Sequence, residues 1–157
     1  MSEVFLADEA ATERAGRRLA AAWIAAGRPA LLVTLAGDLG AGKTCLVRGL
    51  LRALGEQGAI RSPTYTLLES YRPAPETVVH HLDCYRLTGW PALEELGFRD
   101  LAAEPALIAV EWPGRVPGLE EAADLVLQLA VEGEGRRLAM TARSAGGRTI
   151  LGGLLLA

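Results

Sequence analysis

The chemistry in this chain is concentrated first in one octapeptide. Gly37-Asp38-Leu39-Gly40-Ala41-Gly42-Lys43-Thr44 has the spacing of a phosphate-binding loop, Gly-x-x-x-x-Gly-Lys-Thr. The glycines let the backbone wrap closely around phosphates with its N–H groups turned inward. Lys43 supplies a compact positive charge for the outer phosphates, and the Thr44 hydroxyl suits Mg²⁺. Lys43 is also the only lysine, since every other basic residue is arginine. A planar guanidinium would be a poor substitute for a point charge at that position. These residues predict binding of a nucleoside triphosphate with Mg²⁺.

Such a site also needs an acidic residue at the end of a neighbouring strand. Two positions qualify, Asp83 after Thr77–Leu82 and Glu111 after Ala106–Val110. The second run is the more apolar and suits a central strand, whereas His80 and His81 suggest a more exposed setting for the first. Adjacent strand residues face opposite ways, so His80 and His81 do not both line one site. One is expected to pack and the other to meet solvent, with neither catalytic.

The elements needed to hold the loop arrive in the right order. Ala11, Ala15, Leu19, Trp23 and Ala26 recur at helical spacing, ended by Gly27 and Pro29. Ala30–Ala36 is a continuous apolar run of the kind found in buried parallel strands. After the glycine turn, Leu46, Val47, Leu50, Leu51 and Leu54 mark one face of a helix closed by Gly55. Short strands are expected over Tyr65–Tyr71 and Thr77–Leu82, around a turn at Arg72–Pro75. A brief helix is expected at Pro91–Leu96 and a buried strand at Leu107–Val110. A hairpin is expected from Leu125–Val131 and Arg137–Thr141 about Glu132–Gly135. The pattern predicts a three-layer α/β/α P-loop NTPase with a mixed, partly antiparallel sheet, as one domain over 1–157.

Composition narrows the function. Half of the 157 residues are hydrophobic, enough for a core, and the net charge is −3. That balance argues against a strongly basic face for nucleic acid. Two cysteines, Cys45 and Cys84, make no disulfide framework and fit a reducing compartment; with two histidines they do not make a zinc site. No apolar run is long enough to span a bilayer, and the start has no secretory pattern, so a soluble cytoplasmic protein is expected. The chain contains no asparagine, and its lysine is committed to the phosphate loop, which excludes guanine reading through Asn-Lys-x-Asp. ATP is the expected nucleotide. A partner-coupled ATPase, a small-molecule kinase and a nucleotide-gated binding module with little turnover all remain compatible with these residues.

The phosphate loop, Ser62-Pro63-Thr64-Tyr65, His81-Leu82-Asp83-Cys84-Tyr85-Arg86-Leu87 and Glu111-Trp112-Pro113 together resemble the bacterial TsaE (YjeE) family, small ATPases of tRNA threonylcarbamoyladenosine synthesis. The resemblance spans nearly the whole chain. It implies that Thr44 and Glu111 ligate Mg²⁺, with Asp83 on the metal shell or the attacking water. It implies a switch-like Ser62–Tyr65 segment in which Thr64 senses the γ-phosphate, and places Trp112 near the nucleotide or a partner surface. Glu9, Thr12 and Arg136 are the best matches for contacts near the base. Cys45 stands in the nucleotide-binding stretch where relatives usually carry a hydroxyl residue. The resemblance further implies partners, TsaB and TsaD, with tRNA engaged only indirectly and ATP hydrolysis resetting their complex.

Overall fold

The computed structural model describes residues 1–156. In chain order the elements are β1 (Ser2–Leu6), α1 (Glu9–Ala25), β2 (Leu31–Ala36), α2 (Lys43–Leu54), β3 (Leu68–Ala74), β4 (Thr77–Asp83), α3 (Trp90–Glu95), α4 (Phe98–Ala103), β5 (Leu107–Glu111), α5 (Leu119–Ala122), β6 (Leu125–Glu132), β7 (Gly135–Ala142) and α6 (Ala145–Leu156), with a 3₁₀ turn at Pro113–Arg115. The seven strands form one sheet in the order β1-β7-β6-β2-β5-β4-β3. Its centre is parallel, with β2 between β5 and β6 and β4 beside β5. Both flanks are antiparallel, β3 on β4 and, at the other edge, β7 between β6 and the N-terminal β1. The mixed sheet is the one its sequence pattern predicts.

Two apolar layers cover it. On one face Leu19, Trp23, Leu46, Leu50 and Ile150 from α1, α2 and α6 pack on Val33, Leu35, Val79 and Leu127. On the other, Leu93, Phe98 and Leu119 from α3, α4 and α5 pack on Leu82, Ile108 and Val110. Burial of each such side chain contributes about 1.5–3 kcal/mol, which holds the strand ends in place. Trp23 is fully buried, and its indole N–H donates to the Pro29 carbonyl at 2.8 Å, fixing the turn that feeds β2. Helices α1 and α2 touch backbone to backbone. A Cβ on Gly49 would lie 2.1 Å from the Glu13 carbonyl oxygen, and one on Gly16 2.0 Å from that of Leu46.

Several boundaries differ from expectation for local reasons. Strand β3 starts at Leu68 rather than Tyr65, because Leu67 turns left-handed (φ 68°) and its N–H donates to the Pro63 carbonyl at 2.7 Å. The following turn falls at Pro75–Glu76, and Pro73 stays within β3, which lies at the sheet edge where a missing N–H is tolerated. Strand β4 is not the exposed strand its histidines suggest. It lies between β5 and β3, and His80 and His81 are both buried, so neither meets solvent. Strand β1 and helices α4, α5 and α6 were not anticipated. Helix α6 forms despite its glycines because Ser144 Oγ accepts the Gly147 N–H at 2.9 Å and because Ile150 and Leu154 are buried in the α1 layer.

Candidate active site

The phosphate loop joins the C-terminal end of β2 to the N-terminus of α2. Two of its glycines are required by geometry. Gly37 has φ 151° and passes so close to β6 that a Cβ would lie 2.5 Å from the Leu129 carbonyl oxygen; Gly42 has φ 107° where the helix begins. No side chain caps α2. Its first-turn N–H groups therefore point outward with the positive end of the helix dipole, an arrangement suited to an anion.

Lys43 is 5% exposed, and its ammonium donates to the loop's own carbonyls, those of Gly37 at 2.5 Å and Asp38 at 3.0 Å. It also sits 4.2 Å from the centre of the Trp112 ring. Burial lowers its pKa below the usual lysine value, against the opposing pull of Glu111, Asp83 and Asp38. Trp112 takes a left-handed conformation (φ 57°) that begins the 3₁₀ turn and leaves the indole beside the loop.

The carboxylates converge from neighbouring strands. Asp83 and Glu111 are register partners in the parallel β4–β5 pair, and both are 2% exposed. Glu111 Oε2 accepts the Thr44 hydroxyl at 3.2 Å and lies 2.6 Å from His81 Nε2. Asp83 Oδ2 accepts from Ser62 Oγ at 3.1 Å and Thr64 Oγ1 at 3.2 Å, while its Oδ1 accepts the Tyr85 N–H at 2.8 Å. The Ser62–Thr64 segment is thus held directly against an acid of the site.

A cavity of about 580 Å³ opens over this cluster, within the size range of small-molecule pockets. Glu9, Thr12, Leu39, Gly40, Gly42, Lys43, Thr44, Cys45, Thr64, Asp83, Glu111 and Arg136 all line it. Gly37, Asp38 and Ala41 do not; they underlie it and offer carbonyls to Lys43 and Arg136. Arg136, at the start of β7, braces the loop by donating to Ala41 O and Gly40 O, each at 3.0 Å. Thr12 packs its methyl 3.4 Å from where a Cβ on Gly42 would be. Glu9 meets Arg48 at 3.6 Å, and the Cys45 thiol donates to the Glu9 carbonyl. Burial, with Glu9 and Glu13 nearby, raises the Cys45 pKa to about 11.

Asp8, Arg48, Tyr85 and Glu134 also line the cavity without a role expected from sequence, and His81, expected to be non-catalytic, bonds one of the site's carboxylates. Strand alternation was the available signal there, because His81 lies two residues before Asp83 and so shares its face. The donor set, two buried carboxylates and a threonine hydroxyl beside an uncapped helix N-terminus, is hard oxygen chemistry and fits Mg²⁺ with a phosphate chain.

Comparison with known proteins identifies the family. Residues 6–139 match the family model "Threonylcarbamoyl adenosine biosynthesis protein TsaE". The chain is 38% identical over 122 residues to the tRNA threonylcarbamoyladenosine biosynthesis protein TsaE of Haemophilus influenzae, covering 78% of this chain and 77% of that one. It is 41% identical over 120 residues to the Synechocystis protein of the same name, covering 74% and 73%. The crystal structure of Bacillus subtilus YdiB superposes with a TM-score of 0.75 over 99% of this chain and 94% of that one, at 22% identity, which shows the shared fold. The match over most of the chain, with relatives at this level of identity, shows that the chain belongs to the TsaE family of threonylcarbamoyladenosine biosynthesis proteins.

Proposed function

We propose that the chain, as one domain over 1–157, is a Mg²⁺-dependent P-loop ATPase whose hydrolysis is coupled to a TsaB–TsaD complex that threonylcarbamoylates adenosine in tRNA. One observation carries the reading. The buried Lys43 ammonium, the Thr44–Glu111 pair and Asp83 with its two hydroxyl donors meet at a single uncapped helix N-terminus. The first-turn N–H groups of α2 would cradle the phosphate oxygens, and Lys43 would exchange its bonds to Gly37 and Asp38 for a phosphate oxygen. Thr44, Glu111 and Asp83 would hold Mg²⁺, which supplies charge neutralisation on the outer phosphates. Asp83 Oδ2, once its hydroxyl donors turn to the nucleotide, would be open to orient water or accept its proton. Glu9, Thr12, Cys45 and Arg136 form the cavity wall left for the rest of the nucleotide. The acidic balance of the chain agrees with tRNA being held mainly by partners, in the cytoplasm.

The test is phosphate release from Mg²⁺–ATP by the chain alone and with TsaB, TsaD and tRNA. Weak turnover alone and clear stimulation are expected, and equal rates would reject the coupling. Lys43→Ala should lower turnover by about 10²-fold or more, since it removes a charge that stabilises the transition state. Unchanged turnover in that variant would reject the phosphate-loop assignment.

A further inference from the structure

His81 has no place in the scheme above, yet its ring is fully buried beside Glu111. Its Nε2 lies 2.6 Å from Glu111 Oε2. Its Nδ1 is buried and has no hydrogen-bond partner among the described residues. Carboxylate oxygens are acceptors, so the short Nε2–Oε2 contact is read as the ring N–H at Nε2 donating to Glu111. A histidine kept solely for packing would not need a polar edge in this layer. Among the described residues, the ring's one hydrogen bond is to a carboxylate beside the phosphate loop.

The two Glu111 oxygens are consequently unlike. Oε2 receives both the imidazole N–H and the Thr44 hydroxyl, the latter at 3.2 Å. Among the described residues, Oε1 has a hydrogen bond from the Thr44 hydroxyl alone, at 3.4 Å. Val79, His81 and Asp83 alternate onto the α2 side of β4, so the imidazole shares the sheet face of Glu111 and stands one alternation deeper than the cavity-lining Asp83. His81 is fully buried and absent from the cavity lining, so it faces neither solvent nor the cavity.

We infer that His81 is a positioning residue that locks the Glu111 carboxylate by its Oε2 and leaves Oε1 directed to the cation. The inference rests on the proposed Mg²⁺–ATP site. Residues that orient metal-binding groups in this way typically govern metal affinity by about 10- to 100-fold. Glutamine is the conservative variant, because its terminal N–H₂ stands near the place of Nε2.

Two measurements test it. In the metal-free chain labelled with ¹⁵N-histidine, only His80 and His81 contribute signals, and His81→Gln identifies its own by loss. The Nε2–H tautomer is expected for His81, and an Nδ1–H tautomer overturns the proposal whatever the chain binds. The second measurement is binding of a fluorescent, non-hydrolysable ATP analogue as a function of Mg²⁺. His81→Leu is expected to raise the Mg²⁺ concentration for half-maximal binding about tenfold. It should leave binding in EDTA within about twofold, and His81→Gln should recover most of the loss. An unchanged Mg²⁺ dependence in His81→Leu, or an equal loss in EDTA, overturns the proposal. Absence of analogue binding by the wild-type chain would instead overturn the ATP site itself, and the tautomer measurement still stands apart from it.

Discussion

The contact between α1 and α2 offers a quantitative test of how the site is framed. Substituting Gly49→Ala places a methyl group 2.1 Å from the Glu13 carbonyl oxygen, where ordinary contact begins near 3.4 Å. The obstacle is backbone in the middle of a helix, so it cannot rotate aside, and the helices must part locally by roughly 1.3 Å. Overpacking of this kind costs about 1–3 kcal/mol, and a rigid partner puts Gly49 near the top of that range. Alanine returns about 1 kcal/mol through helix propensity. The net expectation is a loss of about 2 kcal/mol, or a melting temperature lower by about 4–8 °C for a chain of this size. Gly152→Ala is the control, because a Cβ there meets nothing within 4 Å. It should be neutral or stabilising by up to about 1 kcal/mol. Urea denaturation followed by far-UV circular dichroism measures both. If Gly49→Ala proves as stable as Gly152→Ala, the backbone contact is not as described and the reasoning fails. Because α1 carries Glu9 and Thr12 while α2 carries Lys43 and Thr44, the parted helices should also weaken nucleotide binding.

Other variants probe single contacts. Arg136→Ala removes two donors from the phosphate-loop carbonyls and should weaken nucleotide binding by about tenfold, since a charged hydrogen bond contributes roughly 1.5–3 kcal/mol; calorimetry reads this, and unchanged affinity would contradict the bracing role. Asp83→Ala should free Ser62 and Thr64, seen as faster amide hydrogen exchange from Thr64 to Tyr85, whereas unaltered exchange would mean the segment is held by other contacts. Cys45 should resist alkylation at pH 8, its rate climbing only as pH approaches about 11, because the thiolate is the reactive form; a midpoint near 8.5 would refute the burial argument. Cys84 is buried, with its pKa pushed up to about 12. The unfolded thiol therefore ionises first, so stability should fall as pH rises from about 9 towards 12, and Cys84→Ala should flatten that slope in denaturation curves.

The phosphate loop could be read from residue types alone, because glycine, lysine and threonine are there for reasons internal to the loop. The strand–turn–helix unit around it was equally legible, with β2 and α2 close to their expected limits. What stayed hidden depends on partners distant in sequence. Strand β1 carries a mostly exposed, mixed pattern and exists through its pairing with β7. Helix α6 contains weak helix formers and depends on the Ser144 cap and on α1. The site histidine was only half legible, since strand alternation puts His81 on the face of Asp83 but the β4–β5 register is needed to bring it onto Glu111. Asp83 and Glu111 were legible as candidates because both end strands, though the two histidines in β4 suggested a more exposed strand than the one that buries Asp83.

Trp112 gives the site a built-in optical signal. Its indole is partly exposed, stands edge-on to Tyr85 at 5.0 Å, and carries the Lys43 ammonium over its face. The other two tryptophans are held by bonds to backbone carbonyls, Trp23 to Pro29 and Trp90 to Pro117. A cation above an indole ring shifts its emission, so departure of Lys43 toward a phosphate would change the colour and yield of one tryptophan among three. Occupancy of the phosphate loop would then be readable by intrinsic fluorescence, with no label attached.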